Sequence, residues 1–174
     1  EHILRIHDTS LAVDEGGRID VAALRGELAA GDGPTIVCAQ AGDVNTGHVD
    51  PLAEIIAVAH AAGAWVHVDG AFGLWAAASP DRRHLLDGHA GADSWATDGH
   101  KWLNVPHDCG LAFVVDPEPH RNAMVVSAAY LRGTREGERD GSRWVPDFSR
   151  RGRGFAVYAA LRSLGREGVA EMVE

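Results

Sequence analysis

The chain has 174 residues, of which 45% are hydrophobic and 24% charged, with 16 Lys plus Arg against 25 Asp plus Glu and a formal net charge of -9. This is the composition of an ordinary soluble globular protein of one-domain size; it excludes disorder and coiled coil, and the acidic balance argues against a nucleic-acid partner. No window approaches the roughly 18 consecutive apolar residues of a membrane span and no secretory leader precedes the first strand-like run, so the expectation is a cytoplasmic protein without a membrane partner.

In chain order, short apolar runs alternate with longer segments of helical period, which predicts an α/β fold with a largely parallel sheet. Strands are expected at 3–7, 35–40, 64–69, 93–97 and 111–115. An early helix spans 20–30, started by Asp20 and stopped by Gly31. The strongest helix signal follows the second strand: Asp50 as N-cap, Pro51 at the first position, Glu54 three residues after the cap, then Ile55, Ile56, Val58 and Ala59, ending at Gly63. A late helix over 153–165 sets Phe155, Val157, Tyr158, Leu161 and Leu164 on an apolar face. Before it, the stretch 130–154 is crowded with Arg, Asp and Glu and reads as a long exposed loop, either a solvated surface or a lid over a site. The chain begins at Glu1 without Met and stops at Glu174 inside a helical pattern, so it is expected to be a piece of a longer polypeptide. Its two cysteines, Cys38 and Cys109, form no C-x-x-C, which indicates neither a disulfide framework nor a zinc site.

In open α/β sheets ligands bind outside the carboxyl ends of the strands, and three segments qualify. Ala41 to Gly47 brackets small polar residues with glycines, although a plain turn needs the same composition. Trp65 to Ala71 puts His67 and Asp69 on one strand face with Asp69 at the end, where it can point into a cleft or cap a turn at Gly70. Asp98-Gly99-His100-Lys101-Trp102 carries the only lysine of the chain. In partly desolvated surroundings such an amine can attack a carbonyl to form an imine. His84, His89, His100 and His107 match no metal-ligand spacing, and no G-x-S-x-G points to a serine hydrolase.

Together these segments resemble the pyridoxal-phosphate-dependent group II amino acid decarboxylases, the aromatic amino acid, glutamate and histidine decarboxylase group. The resemblance is carried by Ala41 to Gly47 with Asp50-Pro51, by His67-Val68-Asp69-Gly70-Ala71, by Ala92 to Trp102 running to Asp108-Cys109-Gly110, and by Trp144-Val145-Pro146 with Ser149-Arg150-Arg151. The ordered pair of a His-Val-Asp-x-Ala and an Asp-x-His-Lys-Trp segment is more specific than either alone.

The resemblance implies an aspartate aminotransferase-like large domain of PLP fold type I. The chain would be its central to C-terminal part, with the upstream phosphate loop and the C-terminal small domain outside it and the 130–154 segment as a mobile catalytic loop. It implies pyridoxal 5'-phosphate as cofactor, an L-amino acid as substrate, loss of carbon dioxide as reaction, and a homodimer as the full-length state. Lys101 would form a Schiff base with the cofactor, Asp69 would pair with the pyridinium nitrogen and keep it protonated, and Ala71 would lie against the ring. His100, Asp98 and Ser94 match positions near the cofactor phosphate and the lysine, and Asn45 falls in the loop that approaches the cofactor. Asp98 departs from the Asn of several relatives, and Val44 from a frequent Thr. Gly141 stands where the group has its loop tyrosine, which leaves open a carbon–carbon lyase or a decarboxylating oxidase. An inactive fragment of such an enzyme is the remaining alternative.

Overall fold

The computed structural model describes residues 7–124, 140–147 and 149–174. The predicted first strand at 3–7 lies outside these residues but for His7, as does the 130–139 part of the charged segment together with Phe148. The described elements run α1 (Val21–Ala30), β1 (Ile36–Gln40), α2 (Leu52–Ala61), β2 (Trp65–Asp69), β3 (Ser94–Asp98), β4 (Gly110–Val114), α3 (Pro117–Met124) and α4 (Gly154–Val173), with short 3₁₀ turns between β2 and β3 and before α4. The four strands form one sheet in the order β1-β2-β3-β4. The first three are parallel, with Asp69 opposite Gln40 on one side and Ala96 on the other, and β4 is antiparallel to β3, with Gly110 opposite Asp98.

α1 begins where the Asp20 carboxylate accepts the Ala22 and Ala23 N–H groups, as its sequence predicts. α2 differs. Pro51 occupies the cap position, and the side chain of Asp50 leaves the helix to accept the Ile19 N–H at 2.8 Å and the Gln40 N–H at 2.7 Å. The predicted N-cap is therefore a buried brace between the approach to α1 and the end of β1. α2 buries Leu52, Ile55, Ile56, Val58 and Ala59 against Val37, Ala39, Val66 and Val68 of the sheet, and Leu24 and Leu86 complete this core. Opposite that core, Cys38, Gln40 and Asp69 project to an open face of the sheet.

A second core joins the β3–β4 connection to α4 through Leu103, Val105, Cys109, Val157 and Val169. α4 runs eight residues past its expected end at 165 because Gly165 (φ 65°, ψ -173°) breaks the helix without ending it, a conformation that suits a residue lacking Cβ. Its inward side is Val157, Val169 and Val173, whereas Phe155, Tyr158, Leu161 and Leu164 of the predicted apolar face are exposed, Phe155 by 83%. No helix among the described residues is long and apolar enough to cross a membrane.

Candidate functional site

Five of the seven predicted site residues gather at the carboxyl ends of β2 and β3, where bonds join successive strand ends. The Ala41 N–H donates to the Asp69 carbonyl at 2.8 Å, the Gly70 N–H to Ala96 at 2.8 Å and the Asp98 N–H to Ala71 at 3.1 Å. The Trp75 indole N–H adds a bond to the Asp98 carbonyl. Asp69 is exposed, and one of its oxygens accepts the Ala71 N–H at 3.0 Å, so it caps the turn past β2 and keeps its other oxygen out of that bond. Its charge reaches Cys38 across the strand pair: desolvation chiefly, and then the Asp69 carboxylate, push that thiol above its ordinary range, although the residue meets solvent.

Lys101 lies in the connection between β3 and β4, which the Gly99 N–H closes onto the Cys109 carbonyl at 2.8 Å. Its ammonium is 3.1 Å from Asp98 Oδ2, and the same oxygen is 3.8 Å from His100 Nε2. The partly desolvated surroundings expected for Lys101 are not supplied by the described residues, because its side chain is 42% exposed and its partner is a carboxylate. His100 is held from the other side, where Nδ1 lies 2.9 Å from the Cys109 nitrogen and 3.0 Å from its carbonyl oxygen, and the His107 ring packs against it at 4.2 Å. Next to Lys101, Trp102 stacks on Phe72 at 4.7 Å and 17°.

Asp69, Ala71, Asp98, His100 and Lys101 thus share one end of the sheet. Ser94 is placed at the other end of β3, where its hydroxyl accepts the Trp65 indole N–H at 2.9 Å and meets His67 Nδ1 at 2.8 Å. Asn45 lies in a turn that Asp43 closes by accepting the Asn45 and Thr46 N–H groups, so this loop is the local turn its composition allows, set beside the β2 end. A cleft of about 440 Å³ opens elsewhere, between Arg18, Pro51, Glu54, His84 and Asp87, and none of the residues predicted for the site lines it.

An amine, a carboxylate and an imidazole on adjacent strand ends suit an aldehyde-bearing aromatic cofactor with an ionisable ring nitrogen: the amine can condense with the aldehyde and the carboxylate can hold a proton on the ring. The family model of the pyridoxal-dependent decarboxylase conserved domain matches residues 9–174. The chain belongs to that decarboxylase family. It is 33% identical over 147 residues to tyrosine decarboxylase of Papaver somniferum, covering 83% of this chain and 29% of that protein. Against 4-hydroxyphenylacetaldehyde synthase of Rhodiola rosea it is 35% identical over 152 residues, 87% of this chain and 30% of the relative. Among solved structures, the Oryza sativa TDC with PLP and tryptamine superposes with a TM-score of 0.83 at 31% identity, over 90% of this chain and 33% of that one. The chain therefore spans about a third or less of the length of these relatives, and its sheet is part of the PLP fold type I large domain.

Within this decarboxylase fold, three residues had no site role assigned from the sequence. Phe72, which stacks on Trp102, directly follows the His67 to Ala71 segment, and an aromatic residue just past a strand end was the signal for it. His107, which packs on His100, was weighed only as a metal ligand, and Asp108 was named only as part of a resembling segment. Asp108 holds the guanidinium groups of Arg151 and Arg153, partners more than forty residues away in sequence.

Proposed function

We propose that this chain carries the cofactor-binding strand ends of a pyridoxal 5'-phosphate-dependent carboxy-lyase acting on an L-amino acid. The observation that carries the reading is the placement of Asp69 and Lys101 at the carboxyl ends of adjacent parallel strands. Lys101 is the residue to hold the cofactor covalently as a Schiff base. Asp69, with one oxygen engaged by Ala71 N–H, is fixed in orientation and presents its charge to a ring nitrogen. Ala71 leaves room for a flat ring. When bound, the cofactor supplies an electron-accepting ring for the pair left on Cα as carbon dioxide departs. Asp98 shares the Lys101 ammonium and must release it before that amine can act as a nucleophile. His100, steered by Cys109, presents Nε2 toward the same cluster. Asn45 stays a candidate of the approaching loop; Ser94, engaged by Trp65 and His67, would act on the site through β3.

Relatives named for tyrosine and DOPA make aromatic L-amino acids the first substrates to test. The intact protein is proposed to be a cytoplasmic homodimer, and the chain by itself to bind cofactor weakly, being a fraction of the large domain. A second reading, decarboxylating oxidation to an aldehyde, is favoured by Gly141, which offers no side chain to donate a proton, and by the 35% identical aldehyde synthase of Rhodiola rosea.

The test uses the intact protein. Borohydride treatment with cofactor should leave a pyridoxyl group on Lys101 by peptide mapping, and a Lys101→Ala variant still labelled by reduction would overturn the assignment. Carbon dioxide with amine supports decarboxylation, carbon dioxide with aldehyde and peroxide supports the oxidative reading, and no carbon dioxide from any amino acid rejects both.

A further inference from the structure

We propose that Asp108 is a positioning residue that couples the Arg-rich segment before α4 to the imidazole of His100. Two guanidinium groups converge on one residue here. Arg151 donates to Asp108 Oδ1 at 2.6 Å and to the carbonyls of His107 at 2.8 Å and Asp108 at 3.1 Å. Arg153 donates through Nε to the Asp108 carbonyl at 2.9 Å and through Nη2 to Asp108 Oδ2 at 2.8 Å. A single exposed ion pair contributes little, but several charge-assisted bonds sharing one turn form a network that fixes geometry. The hydrogen bond from Arg153 leads the effects that hold the Asp108 carboxyl down at about 2, so it stays charged throughout the neutral range.

The clamped turn leads directly to His100. The residue after Asp108 is Cys109, whose N–H lies 2.9 Å from His100 Nδ1, and the residue before it is His107, whose ring packs on His100. The Cys109 carbonyl oxygen lies 3.0 Å from the same Nδ1, so both backbone polar groups of Cys109 meet this one ring atom and fix the orientation of the imidazole, with Nε2 facing Asp98 at 3.8 Å. The described part of the segment has a second contact, the Trp144 carbonyl 2.9 Å from His120 Nε2 on α3. The described part of the segment is thus tied at Trp144 and at Arg151 and Arg153, and the second tie ends on the turn that holds the His100 ring.

The inference rests on the functional reading only for what His100 serves, and its test needs no turnover. In the intact protein, Asp108→Asn keeps the shape of the side chain and removes its charge. Two measurements are made: the imidazole nitrogen shifts of His100, which report the hydrogen bonding of the ring, and tryptic cleavage after Arg143, Arg150 or Arg151. We expect the His100 signals to shift as the ring loses its fixed contacts with Cys109, and cleavage to rise at least about threefold. Arg153→Gln should reproduce both effects and serves if Asp108→Asn fails to fold, while Asp108→Glu should restore them in part. Asp14→Asn, which removes an exposed pair with Arg18 remote from Lys101, should change neither. Unchanged His100 signals in Asp108→Asn, or the same change in Asp14→Asn, would overturn the coupling. Normal coupling without carbon dioxide release would count against the proposed function alone.

Discussion

Gly73→Ala tests how rigidly the strand ends are held. The Gly73 N–H donates to the Ala41 carbonyl at 3.0 Å, and a Cβ built on Gly73 would lie 2.2 Å from that oxygen and 2.8 Å from the carbonyl carbon. Backbone, not a flexible side chain, blocks the way, so the two loops must separate by about 0.8 Å before the contact reaches the 3.0 Å that real Cβ atoms respect. Ala41 is fully buried and its own N–H is bonded to Asp69, so the shift passes to the end of β2. Overpacking of this kind costs about 1–3 kcal/mol and the weakened hydrogen bond about 1 kcal/mol more, for a loss of ~2–4 kcal/mol. The contrast is Gly26→Ala in α1, where an added Cβ meets nothing within 4 Å and better helix propensity should stabilise by ~0.5–1 kcal/mol. Urea unfolding of the two variants of the intact protein, with amide exchange over residues 70–74 and pyridoxal phosphate titration, should show Gly73→Ala destabilised, exchanging faster and binding more weakly. Wild-type stability and exchange in Gly73→Ala would refute the claim that this contact sets the position of Asp69.

Asp50→Ala leaves the Ile19 and Gln40 N–H groups without their acceptor in a buried site, and should cost ~2–4 kcal/mol, with faster exchange at those two amides; Asp50→Asn, which retains one acceptor oxygen, should cost less. The Asp108 carboxyl is held at about 2 against an ordinary 3.8. Its lowered value means that the clamp favours the folded form fully above pH 4 and loses that contribution as the pH falls through about 2. A carbon-13 carboxyl titration should therefore find its midpoint near 2, moving toward 3.8 in Arg153→Gln; an unmoved midpoint would show that Arg153 is not the cause. Asp93 also lies below the ordinary range: desolvation raises it, but bonds from the Val66 N–H and His60 together outweigh that, so Asp93→Asn should weaken the protein more at neutral pH than in acid that protonates the carboxylate, when unfolding is compared under the two conditions.

Strand positions were legible to within a residue for β1 to β4, helped by alternating burial and bounding turn residues in β1 and β2. Lys101 stood out in the sequence for a different reason: a lone lysine among fifteen arginines, at a strand end, is unusual in composition as well as in place. Asp50 was misplaced because the capping signature describes a helix in isolation, whereas the carboxylate finds two backbone donors from distant parts of the chain. On α4, periodicity identified an apolar stripe but carried no information on what it faces, and the inward side proved to be Val157, Val169 and Val173. The Asp108 clamp could not be read locally at all, since neither the aspartate nor the arginines are unusual until folding brings them together.

The order of the strands in the sheet is their order in the chain, and this bears on how the site is made. Ile36 pairs with Trp65, His67 with Ser94 and Ser94 with Val114, so each of the four described strands finds its neighbour within about thirty residues. Asp69 and Lys101 accordingly come together through the closure of one short crossover. During synthesis at roughly 5–20 residues per second, that closure requires only a few seconds of further chain after Asp69 has emerged. The two groups proposed to serve the chemistry thus depend on contacts between segments that lie close together in the chain.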